Sequence, residues 1–188
     1  MSDLRLDVDQ ASELKAAFRR SNWTNAEIKK LCEGALLYDV RTVLHGAAEI
    51  HLRSIDLDAP PLAPRGLPCY VHKHIKGGQF QWDIHKVKLH ATEAQAAGEN
   101  VPGRKMMAQL DGLPVFNANL LDHLLKFPIL IPEDWSSHGV VFWGTIYGDD
   151  HDALFVRGLG CYCYQWGDYT IPLGEDIYHT SHAAIRLF

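Results

Sequence analysis

The hydrophobic pattern is clearest between Gly112 and Tyr147, where a helical period gives way to an extended one. Leu120, Leu121, Leu124 and Leu125 recur at the spacing of one helix face, and Asp122, His123 and Lys126 fall on the other side. Asn117 or Asn119 can cap this helix, because a short side-chain oxygen accepts a first-turn amide. Pro128 ends it, since the residue before proline avoids the α region. Ile129 to Ile131 link to Pro132, and Glu133 to Trp135 read as a turn with Trp135 inward. VVFWGTIY, rich in β-branched and aromatic residues, predicts a strand.

Towards the N-terminus the period is helical. Residues 1–8 read as a tail, and Asp9 as the cap of a helix to about Arg20 with Leu14, Ala17 and Phe18 inward. Thr24 opens a second helix, with Glu27 at the capping-box spacing. Leu36, Leu37, Val40, Val43 and Leu44 mark a third, from Ala35 to His45, with Gly46 as its C-cap. Ile50, Leu52, Ile55 and Leu57 then predict a strand interrupted near Ser54. The domain expectation is a helical part over 1–58, a Pro-rich connector over 59–68 and an α+β part over 69–188, with a single domain as the alternative.

In the second part CYVHKHI predicts a strand, KGGQ a turn, and FQWDI with HKVKLH an extended stretch carrying Val87 and Leu89 on one face. Ala91 to Asn100 reads as a loop or a poorly anchored helix, and GRKMMAQL as a helix. VVFWGTIY, ALFVRGL and CYCYQW predict an antiparallel meander, with YGDDHD as a hairpin loop and Gly158 to Gly160 as a second turn or bulge. DYTIPL adds a fourth strand, with Pro172 at its end or edge. The fold class is therefore α+β: three N-terminal helices, a small, mainly antiparallel sheet and a buried central helix.

Composition narrows the function classes. The net charge of -5 argues against broad nucleic-acid binding, because phosphate contacts need a basic surface. No basic n-region precedes an apolar run, and no run has the length of a membrane span. Cys32, Cys69, Cys161 and Cys163 contain a single close pair, so reduced cysteines of a cytoplasmic protein are the expectation.

Three groups of residues carry candidate chemistry. His72 and His74 form an H-x-H pair; a hairpin at the KGG turn would bring His85 or His90 opposite, with Asp83 between. Exposed histidines on a polar strand face, with no cofactor, are the first expectation; the alternative is Zn²⁺ or another divalent metal, which such a set suits although no zinc-enzyme helix motif accompanies it. Tyr38, Arg41 and Thr42 on the third helix are the side chains a helix-turn-helix would offer to DNA. Trp143, Tyr162, Tyr164 and Trp166 on the meander suit a face for protein, sugar or single-stranded nucleic acid. His179 and His182, near Glu175 and Asp176, read as solvated surface, and Asp149, Asp150 and Asp152 as a hairpin tip. P-loop, nucleophile-elbow and dinucleotide fingerprints are absent.

The runs NANLLDHLL, LIPEDW, VVFWGTIY and LFVRGL, with TNAEIKKLCEG, DVRTVLHG and HIKGGQFQWDIHKVKL, resemble a family of uncharacterised bacterial proteins. The resemblance covers about Leu14 to Gln165 and departs from the family after Gly167. It implies a bacterial or phage-like origin and brings no activity. The first reading is a non-enzymatic cytoplasmic binding protein with a protein partner. The alternatives are a metal-dependent enzyme built on His72, His74, His85 and His90, and a DNA-binding regulator.

Overall fold

In the computed structural model, residues 7–49 and 53–188 are described. Ile50 and Leu52, placed above on a strand, and most of the expected tail lie outside them. The chain divides into two compact units, 1–51 and 52–188. Among the described residues about 34% are helical and 30% extended, and the fold is α+β.

The first unit holds α1 (Val8–Arg20), α2 (Asn25–Leu31) and α3 (Leu36–Leu44). Asp7, not Asp9, caps α1: its side chain accepts from Gln10 N–H, and Gln10 reaches back in a capping box. Thr24 and Glu27 cap α2 as the spacing predicted. Gly46 has positive φ just after α3. No residue of the three helices is buried.

The second unit is built on β6 (Gly139–Gly148), whose ten residues are buried except at the first position. Along one edge it pairs with β7 (Leu154–Tyr162), and β7 with β8 (Gln165–Pro172), both antiparallel. Its other edge is shared. β10 (Ser181–Arg186) lies parallel to the start of β6, and β2 (Tyr70–His74) runs antiparallel to its end. β4 (Val87–His90) closes the far side of β10, giving the order β4-β10-β6-β7-β8. Between β10 and β2 the gap is filled by Phe116, whose carbonyl accepts from Gly144 N–H at 2.9 Å.

Both faces of the sheet are covered, which explains why β6 reads as a continuous apolar run. On one face Val140, Phe142 and Leu159 pack with α6 (Ala118–Lys126) and Trp135. Ile55 and Phe80 join this core from a small ladder of β1 (Ser54–Asp56) and β3 (Gln79–Gln81). On the other face Val141, Trp143, Ile146 and Val156 pack with Met106 and Leu110 of α5 (Gly103–Gln109). Val101 and Ile177 complete that core from the pair β5 (Val101–Pro102) and β9 (Asp176–Ile177).

Several expectations change here. Ser54 starts β1 rather than interrupting a strand, and FQWDIHKVKLH is broken by a 3-10 turn over Ile84–Lys86. The segment after Ala91 is anchored: Gln95 of α4 (Glu93–Ala96) is buried and donates to the carbonyls of Tyr178 and Ser181 at 3.1 and 2.7 Å. Gly158 and Gly160 make no turn, because β7 runs straight through them to Tyr162. The C-terminal stretch with His182 is no loose surface but the strand between β4 and β6.

Asp122 faces the sheet from α6. Arg157 of β7, 4% exposed, bonds Asp122 and Asp168 at 2.8 Å each. It also donates to the Leu62 carbonyl, which Tyr147 Oη reaches at 2.8 Å, so the Pro-rich segment is fastened to the sheet. Burial pushes the Asp122 carboxyl up, and Arg157 only partly offsets this. Its Oδ2 atom is buried without a partner.

Leu121 and Leu124 are both fully buried, and Leu121→Ala or Leu124→Ala lowers unfolding free energy by about 2–5 kcal/mol in urea melts. Arg157→Ala strands a buried carboxylate and costs about 3–5 kcal/mol, whereas Arg157→Met with Asp122→Leu recovers most of that loss in the same melts.

Candidate functional site

The meander's short hairpin sets the site. Register between β7 and β8 runs from Phe155↔Pro172 to Tyr162↔Gln165, leaving Cys163 and Tyr164 as a two-residue turn. Both have positive φ, 49° and 63°. A two-residue turn of type I′ demands this, and its usual occupant is Asn-Gly. Side chains other than glycine resist that region because Cβ crowds the following carbonyl. Tyr164 is fully exposed at the tip, and Tyr162 beside it is 59% exposed.

Below the tip, on the face away from α6, lies a groove of about 650 Å³. Its walls come from β8, from the start of β6 and from the chain around β9. Glycines open it. Tyr169 lies across Gly158, where a Cβ would sit 2.7 Å from the tyrosine hydroxyl, and it also crowds Gly139. Tyr162 covers Gly160 on the same strand, and its ring meets Tyr169 edge-on at 6.4 Å. Glycine in a strand marks such close approach, here by aromatic rings. Burial pushes the Tyr169 phenol up to about 12, against a hydrogen bond with Ser181 that draws it down. It stays protonated at neutral pH.

One histidine, His138, lines the groove. The rings of His138 and His182 lie 4.7 Å apart, and His138 Nδ1 is buried without a partner. Burial lowers the His182 pKa, and the neighbouring His138 lowers it further; His179 and His90 also face it. On the opposite face, a smaller hollow of about 350 Å³ is lined by Arg53, Trp82, His123 and Phe127 among others. Burial lowers the His123 pKa too, helped by Lys126 and Arg53.

The expected histidine constellation does not assemble. β2 pairs with β6, β3 with β1 and β4 with β10, so the KGG turn makes no hairpin between His74 and His85 or His90. The reason is packing. Gly77 sits against Leu57, where a Cβ would be 2.8 Å from Leu57 Cδ1, and the chain turns onto β1. His72 falls where the β2–β6 register shifts, which breaks its shared alternation with His74. His74 has both ring nitrogens engaged, Nδ1 with Thr145 Oγ1 at 2.9 Å and Nε2 with the Leu57 carbonyl at 3.1 Å. Asp83 caps the 3-10 turn through His85 N–H. Among the described residues no three His, Cys, Asp or Glu side chains gather to hold a metal ion.

The other candidates separate. Tyr38 is exposed on α3, as is Arg41, while Thr42 Oγ1 donates to its own helix at the Asp39 carbonyl, 2.7 Å away. Trp143 is 3% exposed and belongs to the core, so it offers no surface. Trp166 packs partly against the α6 face. Tyr162 and Tyr164 remain at the hairpin tip. Tyr169, Tyr178, Glu175 and Asp176 join the site, and sequence reasoning passed over them as strand and surface. The detectable signal was the pairing of strand glycines with tyrosines.

No family model, no curated protein and no solved structure matches this chain. No helix among the described residues is long and apolar enough to cross a membrane.

The histidine shifts fix a pH dependence. His123 and His182 have folded-state pKa values below the unfolded value. Stability from these groups is full above the unfolded pKa of about 6.5 and declines as pH falls through it towards the folded pKa. Thermal melts from about pH 7.5 to 5 therefore show a falling midpoint for the wild type and a flatter profile for His123→Gln with His182→Gln.

Proposed function

We propose that the protein is a non-enzymatic cytoplasmic binding protein of a bacterial or phage-like system, and that it meets a protein partner with the β7–β8 hairpin tip and the groove below. The observation that carries this reading is the Cys163–Tyr164 turn. Two residues without glycine's freedom hold positive φ where Asn-Gly would sit without strain. Backbone strain of this kind persists where a side chain is wanted at that place. Here the side chain is a tyrosine standing in solvent, next to a second tyrosine and a polar groove. Tyrosine suits recognition, since it offers large contact area with few rotatable bonds.

The metal-enzyme reading loses its support with the engaged nitrogens of His74. The DNA reading is left with Tyr38 and Arg41 against a chain of net charge -5.

The test separates stability from recognition. Cys163→Asn with Tyr164→Gly relieves the turn and raises unfolding free energy by about 1–3 kcal/mol. Immobilised wild type and variant are then compared in capture from bacterial extract. A protein retained by the wild type and lost from the more stable variant supports the reading; equal capture by both, or none by either, overturns it.

A further inference from the structure

We propose that the groove receives an arginine side chain, carried on an extended segment of the partner that pairs with the outer edge of β8. This names the partner's chemistry and rests on the binding reading above.

Charge comes first. Apart from His138, the titratable groups on the groove wall include two carboxylates, Glu175 and Asp176, and no lysine or arginine. Both carboxylates are exposed, and neither makes a side-chain hydrogen bond or ion pair among the described residues. A cation is attracted there, and an anion is repelled.

The aromatic wall narrows the cation. Tyr162, Tyr169 and Tyr178 line the groove, with the first two edge to face. A guanidinium is planar, stacks on a phenol face and forks two hydrogen bonds to a carboxylate. An ammonium uses the charge but not the fork. Neutral Ser136, Ser137 and Thr180 accept from the remaining N–H groups.

The carrier follows from the sheet. β8 ends the strand order, and no strand among the described residues pairs with its outer side. Tyr162 and Gln165 flank the two-residue turn, so they form a hydrogen-bonded pair. Alternation then turns the N–H and C=O of Trp166, Asp168 and Thr170 outward. An extended segment can continue the sheet there, and its alternate side chains would enter the groove beside Thr170 and Ile171. Pro172 lacks an N–H and ends the ladder.

The probe is a blocked, fluorescein-labelled hexapeptide alternating threonine and valine around one central arginine, followed by fluorescence polarisation on the full chain. Its control carries citrulline, which keeps the shape and loses the charge. The expected result is saturable binding that weakens about tenfold or more with citrulline, and equally with Glu175→Gln plus Asp176→Asn. Free arginine amide should compete only at far higher concentration, because it lacks the strand. The melting midpoint of the double variant should match the wild type, since both side chains are unpaired. Arginine and citrulline peptides that bind alike, or do not bind, overturn the arginine assignment. Competition by arginine amide at peptide concentrations overturns the strand. If the peptides fail while the hairpin variant still loses a captured protein, only this inference falls; if that capture also fails, the binding reading falls with it.

Discussion

The second unit depends on one close approach, the backbone of Asn117 against Gly144. A Cβ at Gly144 would lie 2.9 Å from the N, Cα and Cβ atoms of Asn117, so no other residue fits without moving β6. The approach lets one buried side chain tie distant pieces of chain. Asn117 Nδ2 donates to the carbonyls of Leu57 and Ile75 at 2.7 and 2.9 Å, while its Oδ1 accepts from Asn119 N–H and caps α6. Around it, Ala118 N–H donates to Thr145 Oγ1, and Ile75 N–H to the Gly144 carbonyl. A buried polar network is stabilising only when its members are satisfied, and this one is. It sits where β6 changes partner from β10 to β2.

The elements legible in the sequence are those whose signals are local. The leucine period of α6, the Thr24–Glu27 capping box and the β-branched run of β6 each report a property of a few neighbouring residues. Asn117 was one of two named caps; the other, Asn119, instead donates to the carbonyls of Asp56 and Ala59. Pairing was not legible. KGG looked like a hairpin because glycines followed a strand, yet Gly77 is small so that Leu57 can pack on it. β10 was hidden because HTSHAAIRLF carries two histidines and two alanines in place of an alternating pattern. Its interior position comes from neighbours on both sides, which no window of sequence contains.

The candidate site was half legible for the same reason. Tyr162 and Tyr164 could be named from aromatic density, and Trp143 was named with them because alternation alone does not reveal that both faces of β6 are covered. The groove itself is a relation between strands: Tyr169 on β8, Gly158 on β7, Gly139 on β6. The carboxylates of Glu175 and Asp176 meet it only because β9 is held against β5.

The place of β10 has a kinetic meaning. The central sheet cannot close β4 onto β6 until Ser181–Arg186 lies between them. Until then both flanking strands present bare backbone, and the Phe116 amide lacks the Ala184 carbonyl that receives it at 2.9 Å. Closing such long loops is slow, because chain entropy is lost before the contacts that reward it form. A ribosome delivers this strand after the others of its sheet. The nascent chain therefore carries two open strand edges from the emergence of β6 until β10 follows it, an interval in which edge-to-edge association between chains competes with folding.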